Sequence, residues 1–565
     1  MAHLKAESEH GAEISTDVVV VGAGISGLTA AYRLLQTDPA LGVIVLEGKE
    51  RVGGRTMATR LKSASGQDTW DLGGQWVGST QRHVMGLLKE LGLDVYPQYT
   101  HGTKVCQLGG ANAKIGTYSS SIPSLSLPAL VDLQLFMWKI DRLCQTVPAA
   151  NPAACPLAAQ LDSMTMETFK QQNLWTQAAK DAVDVACKNN FGLECSQVSC
   201  LYYLSYAAAA GGFLPLIEAS VGSAQEFKVK GGAFQLSSLL AKRIGHSKII
   251  LGDAVTHITQ TDDGVELRTG SHRKLSCQRV IVTCPTHLAA KIHYEPALPA
   301  DRERLTQNMP VGHLIKFIVT YPTAFWREAG YSGEIVCNGG GGSPLSVTYD
   351  ATTSHGSAAL VGFIAGSQAG HWTVKKLEER REAVIKSLVK FLGEKAAGYL
   401  EYAEKDWSRE PYSTGCPVNV MVPGMITYYH SALRRPFHRI HWAGTETATE
   451  WCGFMSGAVQ SGARAARETL RVLRPSLLAA FDDAEFESPD PRPAGAGVPP
   501  HGGAGQLPCR APRRYRRWLC LGAALVAATA VALCHVRGRD GSLRELLSAV
   551  PFRKIPAVAG LSRFS

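Results

Sequence analysis

The sequence lacks the cysteine patterns that indicate a disulfide framework or a structural zinc site. Its 14 cysteines are scattered over 565 residues, and no Cys-x-x-Cys pair occurs. There is no Asn-x-Ser/Thr sequon, and residues 1–14 are polar, without the apolar core of a secretory signal. We therefore expect a body that never enters the secretory lumen, with no metal site.

Acidic residues are scarce only at one end of the chain. The net charge is +10, but residues 510–565 hold eleven basic residues and two acidic ones, so the preceding chain is close to neutral. A near-neutral body has no basic face for nucleic acid, and we expect no such partner. With 45% hydrophobic and 19% charged residues, the chain is not disordered, and its length predicts two or three domains.

Long uncharged apolar runs are also rare, and the single one is Trp518–Val536. Its 19 residues would span roughly 28 Å as a helix, about the thickness of a bilayer's hydrocarbon layer. Arginines flank it on both sides, and a Pro/Gly-rich stretch at 489–505 separates it from the body. We predict a linker over 474–512, a transmembrane anchor over 513–537 and a short tail over 538–565. The alternative is a buried helix of a soluble domain.

The N-terminal region predicts a β-α-β unit. Thr16–Gly22 is a β-branched apolar run typical of a buried parallel strand, Ser26–Leu35 has helical periodicity, and Val43–Glu47 is a second strand pattern. Further strands are predicted over 248–258, 265–282, 315–321, 358–363 and 440–443, and helices over 127–142, 157–204, 376–392 and 455–473. Because strand-rich and helix-rich blocks alternate along the chain, we expect two domains interleaved in sequence.

The turn of this unit carries a GxGxxG motif. Gly22 permits the tight turn, Gly24 lets the backbone approach a pyrophosphate, and Gly27 allows close packing of helix and strand. Ser26 lies in the first helical turn, whose N–H groups favour a phosphate, and Glu47 is placed to accept ribose hydroxyls. The alternative is an ordinary glycine turn at a β-α junction.

Two further glycine-rich elements follow within sixty residues of the motif. In Arg51–Thr56, Arg55 would reach back to a diphosphate. In Asp71–Trp76, Gly74 and Gln75 would place backbone against a flat ring. An NAD enzyme needs neither element, so together they favour FAD as the cofactor.

The C-terminal part of the body carries the most specific pattern. It consists of Trp407, Tyr412–Cys416, Trp442–Thr449 and Trp451–Met455. With the elements above, the chain resembles the flavin-containing monoamine oxidase family from about residue 17 to the apolar tail. The resemblance implies oxidative deamination of amines to aldehyde, ammonia and hydrogen peroxide with dioxygen. It also implies tail-anchored placement in the mitochondrial outer membrane, with the body facing the cytosol.

The resemblance implies an α/β fold in which a Rossmann-like FAD-binding domain is interleaved with an α+β substrate domain, plus the C-terminal transmembrane helix. The expected FAD-binding segments are 16–92, 229–300 and 405–470, and the substrate domain comprises 93–228 and 301–404. A homodimer is left open.

The same resemblance implies roles for individual residues. Cys416 would bond covalently to the flavin 8α-methyl group, and Lys316 would hold a water near flavin N5, with Trp407 in the same catalytic set. Gln225 would line the substrate cavity, and the Val255 backbone would contact the adenine. The alternatives are a buried structural thiol for Cys416 and an outward edge-strand lysine for Lys316.

The remaining implied cofactor contacts lie close to the C-terminal end of the body. Thr445 and Glu446 would sit on a strand-to-helix turn whose helix N-terminus faces the flavin pyrimidine ring, where its dipole would stabilise developing negative charge. Gly453 and Met455 complete this set.

The sequence departs from the family at two positions where aromatic residues flank the amine path. Here these are Pro417 and Phe454, so one wall has no ring. We expect a wider cavity that admits bulkier or secondary amines, and weaker catalysis on small arylalkyl amines. A polyamine oxidase, kept open by Glu218 and Glu226, an L-amino-acid oxidase and a non-catalytic flavoprotein remain alternatives.

Overall fold

The computed structural model describes residues 13–110, 112–119, 123–339 and 342–478. The predicted anchor at 513–537, the tail at 538–565 and all but the start of the linker lie outside the described residues. Among the helices within these ranges, none combines the length and the apolar character that a bilayer crossing demands.

A parallel sheet of five strands, here called the nucleotide sheet, forms the centre of one half of the body. Its strands in spatial order are Ile249–Ile250, Val43–Leu46, Val18–Val21, Arg279–Val282 and Ile440–Trp442. All four residues of the central strand are buried, as expected where both faces of a parallel sheet are covered. With helix Ile25–Thr37, the predicted β-α-β unit is confirmed.

Alternate side chains of that central strand face two different layers. Val18 and Val20 pack in a core with helices, whereas Val19 and Val21 pack against a second sheet. The helices on the first side are Ile25–Thr37, Arg82–Leu91, Gln235–Ile244 and Met455–Leu473. The mixed sheet on the other side comprises Ile14–Ser15, Lys274–Cys277, Val265–Thr269, Val255–Gln260 and His293–Glu295.

The second half is built on a sheet of seven strands, here called the substrate sheet. In spatial order the strands are Glu401–Asp406, Leu314–Thr320, Ala359–Ala365, Val347–Asp350, Tyr331–Cys337, Thr103–Gln107 and Gly116–Tyr118. All seven residues of Leu314–Thr320 are buried. One face packs on helix Leu377–Leu392. The other packs on the hairpin of Ala58–Ser63 and Gly66–Asp71.

A separate helical core packs beside this sheet. Its helices are Leu127–Cys144, Ala158–Asp162, Met166–Asn173, Gln177–Phe191, Cys200–Ala209, Phe213–Ile217 and Met425–Tyr429. The helix-rich stretches predicted at 127–142 and 157–204 are therefore confirmed. Shorter α-helices are Thr286–Ala289, Ala300–Gln307, Phe325–Glu328, Ser367–Thr373 and Pro475–Leu478.

Two small features complete the described chain. A three-stranded antiparallel sheet consists of Trp76–Val77, Phe227–Val229 and Val95–Pro97. The 3-10 turns are Pro152–Ala154, Cys195–Gln197, His246–Lys248, Glu394–Ala397, Trp407–Arg409, His430–Leu433 and Thr445–Thr447.

Candidate functional site

The glycine motif forms a tight turn with one open face. Gly22 has φ of 107°, and its N–H donates to the Leu46 carbonyl at 2.7 Å. A Cβ on Gly27 would lie 1.9 Å from the Gly22 carbonyl, whereas one on Gly24 would meet nothing nearer than 4.0 Å. Helix Ile25–Thr37 has neither a side-chain cap nor an acidic residue in its first turn. The N–H groups of that turn are therefore available to a phosphate beside Gly24.

Glu47 closes the second strand directly beside this turn. Its buried carboxylate accepts from the Ala23 N–H at 2.7 Å and the Lys49 N–H at 3.0 Å, and each oxygen keeps a lone pair for a ribose hydroxyl. The Asp253 N–H donates to the Glu47 carbonyl at 3.0 Å. This bond brings the segment that leads into the buried Val255 next to Glu47.

The turn Gly444–Glu446 joins the starts of two long helices. The Gly444 N–H donates to Ser26 Oγ at 2.9 Å, in the first turn of one helix. Thr445 Oγ1 donates at 2.8 Å to the carbonyl of Phe454, the N-cap of helix Met455–Leu473. Thr445 and Glu446 lie on a 3-10 turn between strand Ile440–Trp442 and helix Met455–Leu473, in agreement with the predicted strand-to-helix turn. The intervening residues 448–454 form a loop that a strand-to-helix pattern does not reveal.

Arg55 and Glu446 form a buried ion pair within this turn. Arg55 Nη1 lies 2.6 Å from one Glu446 oxygen and Nη2 lies 3.1 Å from the other, and Nη1 also donates to the Pro417 carbonyl at 2.8 Å. Burial opposes ionisation, but the guanidinium holds the pKa of Glu446 below its usual range. In the structure the charge of Arg55 is balanced by Glu446, and the contact of Arg55 with a diphosphate stays a prediction.

Lys316 lies on an inner strand of the substrate sheet and points at the second glycine turn. Its Nζ donates to the Gly73 carbonyl and to Gln75 Oε1, both at 2.9 Å, and the residue is 2% exposed. The edge-strand alternative is therefore excluded, since Lys316 pairs with Phe363 on one side and Lys405 on the other. Burial lowers the pKa of this ammonium, and the nearby Asp71 acts in the opposite direction.

Asp71 is a site residue that the sequence reasoning did not select, although it opens the Asp71–Trp76 element. Its carboxylate accepts from the Ala233 N–H at 2.7 Å and from the Phe234 N–H at 3.2 Å. Burial raises the pKa of Asp71, and the charge of Lys316 counteracts this. The two residues therefore form a buried, mutually compensating pair.

Cys416 and Trp407 pack together in a small apolar cluster with Leu314 and Ala365. Trp407 is 2% exposed, and its Nε1 donates to the Leu72 carbonyl at 3.1 Å. Burial raises the pKa of the Cys416 thiol to about 12, so the free thiol is protonated at neutral pH. These contacts place Cys416 near the segment that leads into Gly73 and Gly74.

Aromatic side chains surround the Lys316 ammonium. The Trp76 ring centroid lies 5.4 Å from Nζ and that of Phe363 lies 5.8 Å away. Tyr349 packs edge-on against Trp76 at 5.4 Å between centroids. Sequence reasoning missed Phe363 and Tyr349 as site residues because they come from strands whose pairing only the fold reveals.

A second aromatic group surrounds Phe454. Its ring lies 5.8 Å from that of Tyr206 and 5.1 Å from that of Trp451. Gly453 has φ of 83°, and a Cβ there would meet the Tyr206 hydroxyl at 2.4 Å. A Cβ on Gly74 would lie 3.5 Å from Met455 Sδ, so the glycine turn at 73–75 and the start of helix Met455–Leu473 are neighbours.

Gln225 lies outside these groups, next to helix Phe213–Ile217. Its Nε2 donates to the Leu216 carbonyl at 3.3 Å. Its Oε1 is buried and has no hydrogen-bond partner among the residues that the structure describes. Two residues later, Phe227 pairs with Val77, so this loop runs beside the strand that carries Trp76.

One group of metal-ligand side chains converges elsewhere, at Glu167, Asp184 and Cys195. The Lys170 ammonium already pairs with both carboxylates, at 2.6 Å from Glu167 and 2.5 Å from Asp184. The positive charge that a metal would supply is therefore provided by a lysine.

The groups that the site offers fit FAD. An uncapped helix N-terminus, a glycine face without a Cβ and a buried carboxylate suit the pyrophosphate and ribose of a dinucleotide. A second uncapped helix start, at Met455, adjoins Gly74 and Thr445.

Comparison with known proteins identifies relatives over most of the chain. Residues 25–470 match the family described as flavin containing amine oxidoreductase. A probable flavin-containing monoamine oxidase A of Dictyostelium discoideum is 36% identical over 80% of this chain and 97% of its own length. Amine oxidase [flavin-containing] B of Sus scrofa is 37% identical, covering 81% of this chain and 86% of the relative.

Solved structures show the same likeness. Cyclohexylamine oxidase from Brevibacterium oxydans superposes with a TM-score of 0.76 at 31% identity, covering 81% of this chain and 99% of that one. Putrescine oxidase bound to putrescine superposes with a TM-score of 0.75 at 27% identity, covering 81% and 100%.

Proposed function

The chain belongs to the flavin-containing amine oxidoreductase family and is an FAD-dependent amine oxidase, and we propose that its flavin is linked to Cys416 and its amine binds beside Lys316. The observation that carries this proposal is the position of Lys316. It is buried on an inner strand, hydrogen-bonded to the glycine turn at 73–75 and surrounded by rings.

The residues proposed to hold FAD fall into two groups. The Gly22–Gly27 turn, Ser26, Glu47 and the Val255 backbone would hold the adenosine diphosphate end. Gly74, Gln75, Thr445, Gly453 and Met455 would surround the ring, with Arg55 and Glu446 between the groups. Bound FAD supplies a two-electron acceptor for the amine α-C–H and a route for those electrons to dioxygen, which yields hydrogen peroxide.

The chain's own contribution is an apolar chamber with balanced charges. Trp76, Phe363 and Phe454 provide ring faces, and such surroundings favour the neutral amine over its ammonium form. Lys316, held by Gly73 and Gln75, would position a water or the reacting amine. No side chain is needed to remove a proton from the α-carbon.

The linkage to Cys416 is tested by acid precipitation of the purified full chain. The expected result is a yellow pellet that retains flavin, while Cys416→Ser releases its flavin into the supernatant. Cys452→Ser is the matched control, since Cys452 is also a thiol with a pKa raised by burial near Glu446. A colourless wild-type pellet, or flavin retained by Cys416→Ser, would contradict the linkage.

The missing ring at Pro417 supports the proposal that the amine path is wider than in relatives with two aromatic residues there. Pro417→Tyr should raise turnover of phenethylamine by about 2- to 30-fold, the range expected of one cation–π contact. A matched change, Phe454→Tyr, adds only a hydroxyl to an existing ring. If Pro417→Tyr leaves both kcat and KM for phenethylamine unchanged, the ring is not what limits this substrate.

The alternatives within the same scaffold are separated by substrate. Peroxide release is measured with benzylamine, serotonin, N-acetylspermine and phenylalanine. Turnover of phenylalanine alone would favour an L-amino-acid oxidase, and no turnover of any would favour a non-catalytic flavoprotein.

For the cellular location we propose tail anchoring in the mitochondrial outer membrane, with the FAD-binding segments 16–92, 229–300 and 405–470 and the substrate segments 93–228 and 301–404 facing the cytosol. The apolar run Trp518–Val536 with its flanking arginines supports the anchor. Cell fractionation with alkaline extraction should leave the wild type in the mitochondrial pellet. Val526→Arg, which places a charge in the run, should move it to the soluble fraction.

A homodimer, also proposed, is tested by light scattering of the detergent-solubilised enzyme.

A further inference from the structure

One face of the substrate sheet carries a row of functional side chains that extends beyond Lys316. Lys316 pairs in register with Phe363, and Phe363 pairs with Val347 on the next strand. Side chains two residues apart share a face, so Tyr349 lies on the same face as Val347. The opposite face is the apolar core that contains Ile335 and Val105.

The row continues onto the next two strands with charged residues. Ile335 faces the opposite core, so its neighbour Glu334 lies on the face of Lys316 and Tyr349. Glu334 pairs with Lys104 at 2.9 Å, and Lys104 pairs in register with Tyr118. From the strand of Lys316 to that of Glu334 are three inter-strand steps, or roughly 14 Å.

Glu218 lies at the far end of this row. It follows helix Phe213–Ile217. Its negative charge and that of Glu334 both help to raise the pKa of the Tyr349 and Tyr118 hydroxyls. Its half-buried carboxylate makes no hydrogen bond or ion pair closer than 4.0 Å with any residue in the described ranges. Lys104, the nearest cation acting on it, is already paired with Glu334.

A second unpartnered acceptor lies nearby. Gln225 donates its Nε2 to Leu216, at the end of the same short helix, and its buried Oε1 lacks a donor within the described ranges. A buried acceptor without a donor is unfavourable unless a ligand or a water supplies one. Two acceptors, one of them charged, match the N–H groups of an ammonium ion and would repel a carboxylate.

We propose that Glu218 binds the distal ammonium group of a substrate that has a second positive charge, such as a long α,ω-diaminoalkane. The reacting amino group would lie beside Lys316, and the methylene chain would cross the rings of Phe363, Trp76 and Tyr349. The proposal rests on the proposed function, because it names the substrate class of the same site. The charges that face Glu218 are those of Lys104 and Glu334.

The test compares an α,ω-diaminoalkane with the n-alkylamine of equal chain length, over a homologous series, by kcat/KM for peroxide release. The wild type should prefer the longer diamines. Glu218→Gln keeps the shape and removes the charge, so kcat/KM for the preferred diamine should fall about 10- to 100-fold more than for its monoamine. Lys104→Met removes a cation that competes for Glu218, so the preference for the diamine over the monoamine should increase.

The control is Glu394→Gln, an exposed carboxylate in a distant 3-10 turn, which should keep the wild-type preference. Equal losses for diamine and monoamine in Glu218→Gln, or no preference in the wild type, would overturn the proposal while amine oxidation stands. If no amine is turned over, the proposed function fails. Calorimetric titration of the same two amines without dioxygen then decides: equal affinities for wild type and Glu218→Gln would overturn the role of Glu218.

Discussion

The buried pair of Arg55 and Glu446 gives a strong prediction about stability. The Glu446 side chain is 2% exposed and that of Arg55 is 23% exposed, so the two ends of the pair differ in their access to water. Arg55→Met leaves a buried carboxylate with the weaker bond from the Asn419 N–H at 3.3 Å. The expected loss is about 3–5 kcal/mol of unfolding free energy, because an uncompensated charge stays out of water.

The reverse change should be milder. Glu446→Gln keeps an oxygen that can accept from Arg55, and the partly exposed guanidinium retains its bond to the Pro417 carbonyl. A loss of about 1.5–3 kcal/mol is expected, that of one charge-assisted hydrogen bond. The double variant Arg55→Met/Glu446→Gln should be more stable than Arg55→Met alone. Arg82→Met is the matched control, since Arg82 is 48% exposed in its pair with Glu450 and should lose under about 1 kcal/mol.

The assay is urea denaturation followed by tryptophan fluorescence, at equal flavin content. Because Arg55 lowers the pKa of Glu446 in the folded wild type, its contribution is present above the unfolded pKa of about 4.3 and is lost as the pH falls. The gap between wild type and Arg55→Met should thus be widest near neutral pH. If the difference in unfolding free energy between wild type and Arg55→Met does not decrease on acidification, or if added FAD abolishes it, the buried-charge explanation is refuted.

Two further predictions concern charge and packing elsewhere. Burial raises the pKa of Glu410, but Lys405, Lys49 and Arg51 together lower it to about 2. Glu410 therefore stabilises the fold above its unfolded pKa of about 4.3, and this stabilisation is lost as the pH falls towards 2. In Glu410→Gln the free energy of unfolding should depend less on pH over this range. Gly27→Ala should prevent native packing, since its Cβ would lie 1.9 Å from a carbonyl, whereas Gly24→Ala should fold normally but bind less FAD, as judged by circular dichroism and flavin absorbance. Normal flavin content in Gly24→Ala would show that the pyrophosphate does not approach there.

Much of the fold could be predicted because the apolar pattern that marks each of those elements is contained in a short stretch of sequence. Helix Met455–Leu473 has the predicted bounds, and strand Leu314–Thr320 differs from its prediction by one residue at each end. The helix has an apolar periodicity over five turns, and the strand is a nearly continuous apolar run. Strand Tyr331–Cys337 was missed, since it contains Gly333 and Glu334 and gains its partners from strands far away in sequence.

The candidate site was less accessible to sequence reasoning than the fold. Motif residues such as Gly24 and Glu47 could be selected because the pattern that marks them lies within one short β-α-β unit. Asp71 could not, because its importance arises from Lys316, which lies more than two hundred positions away. The pairing of Arg55 with Glu446 could not be predicted for the same reason, because Glu446 is 391 positions distant and only folding brings it near.

The charges around Lys316 bear on the proposal that Glu218 decides the substrate class. Lys316 is compensated by Asp71 and Arg55 by Glu446, whereas the buried Lys228, which also acts on Lys316, is bonded to the carbonyls of Asp350 and Thr352. In a low-dielectric chamber an unbalanced charge acts over a longer range than it would in water. Glu218, whose nearest cation is already paired with Glu334, leaves a net negative end to the row of side chains. A substrate with a single amine gains nothing from that end, whereas the distal ammonium group of a diamine is attracted to Glu218, so under this proposal the preference for diamines would follow from this carboxylate.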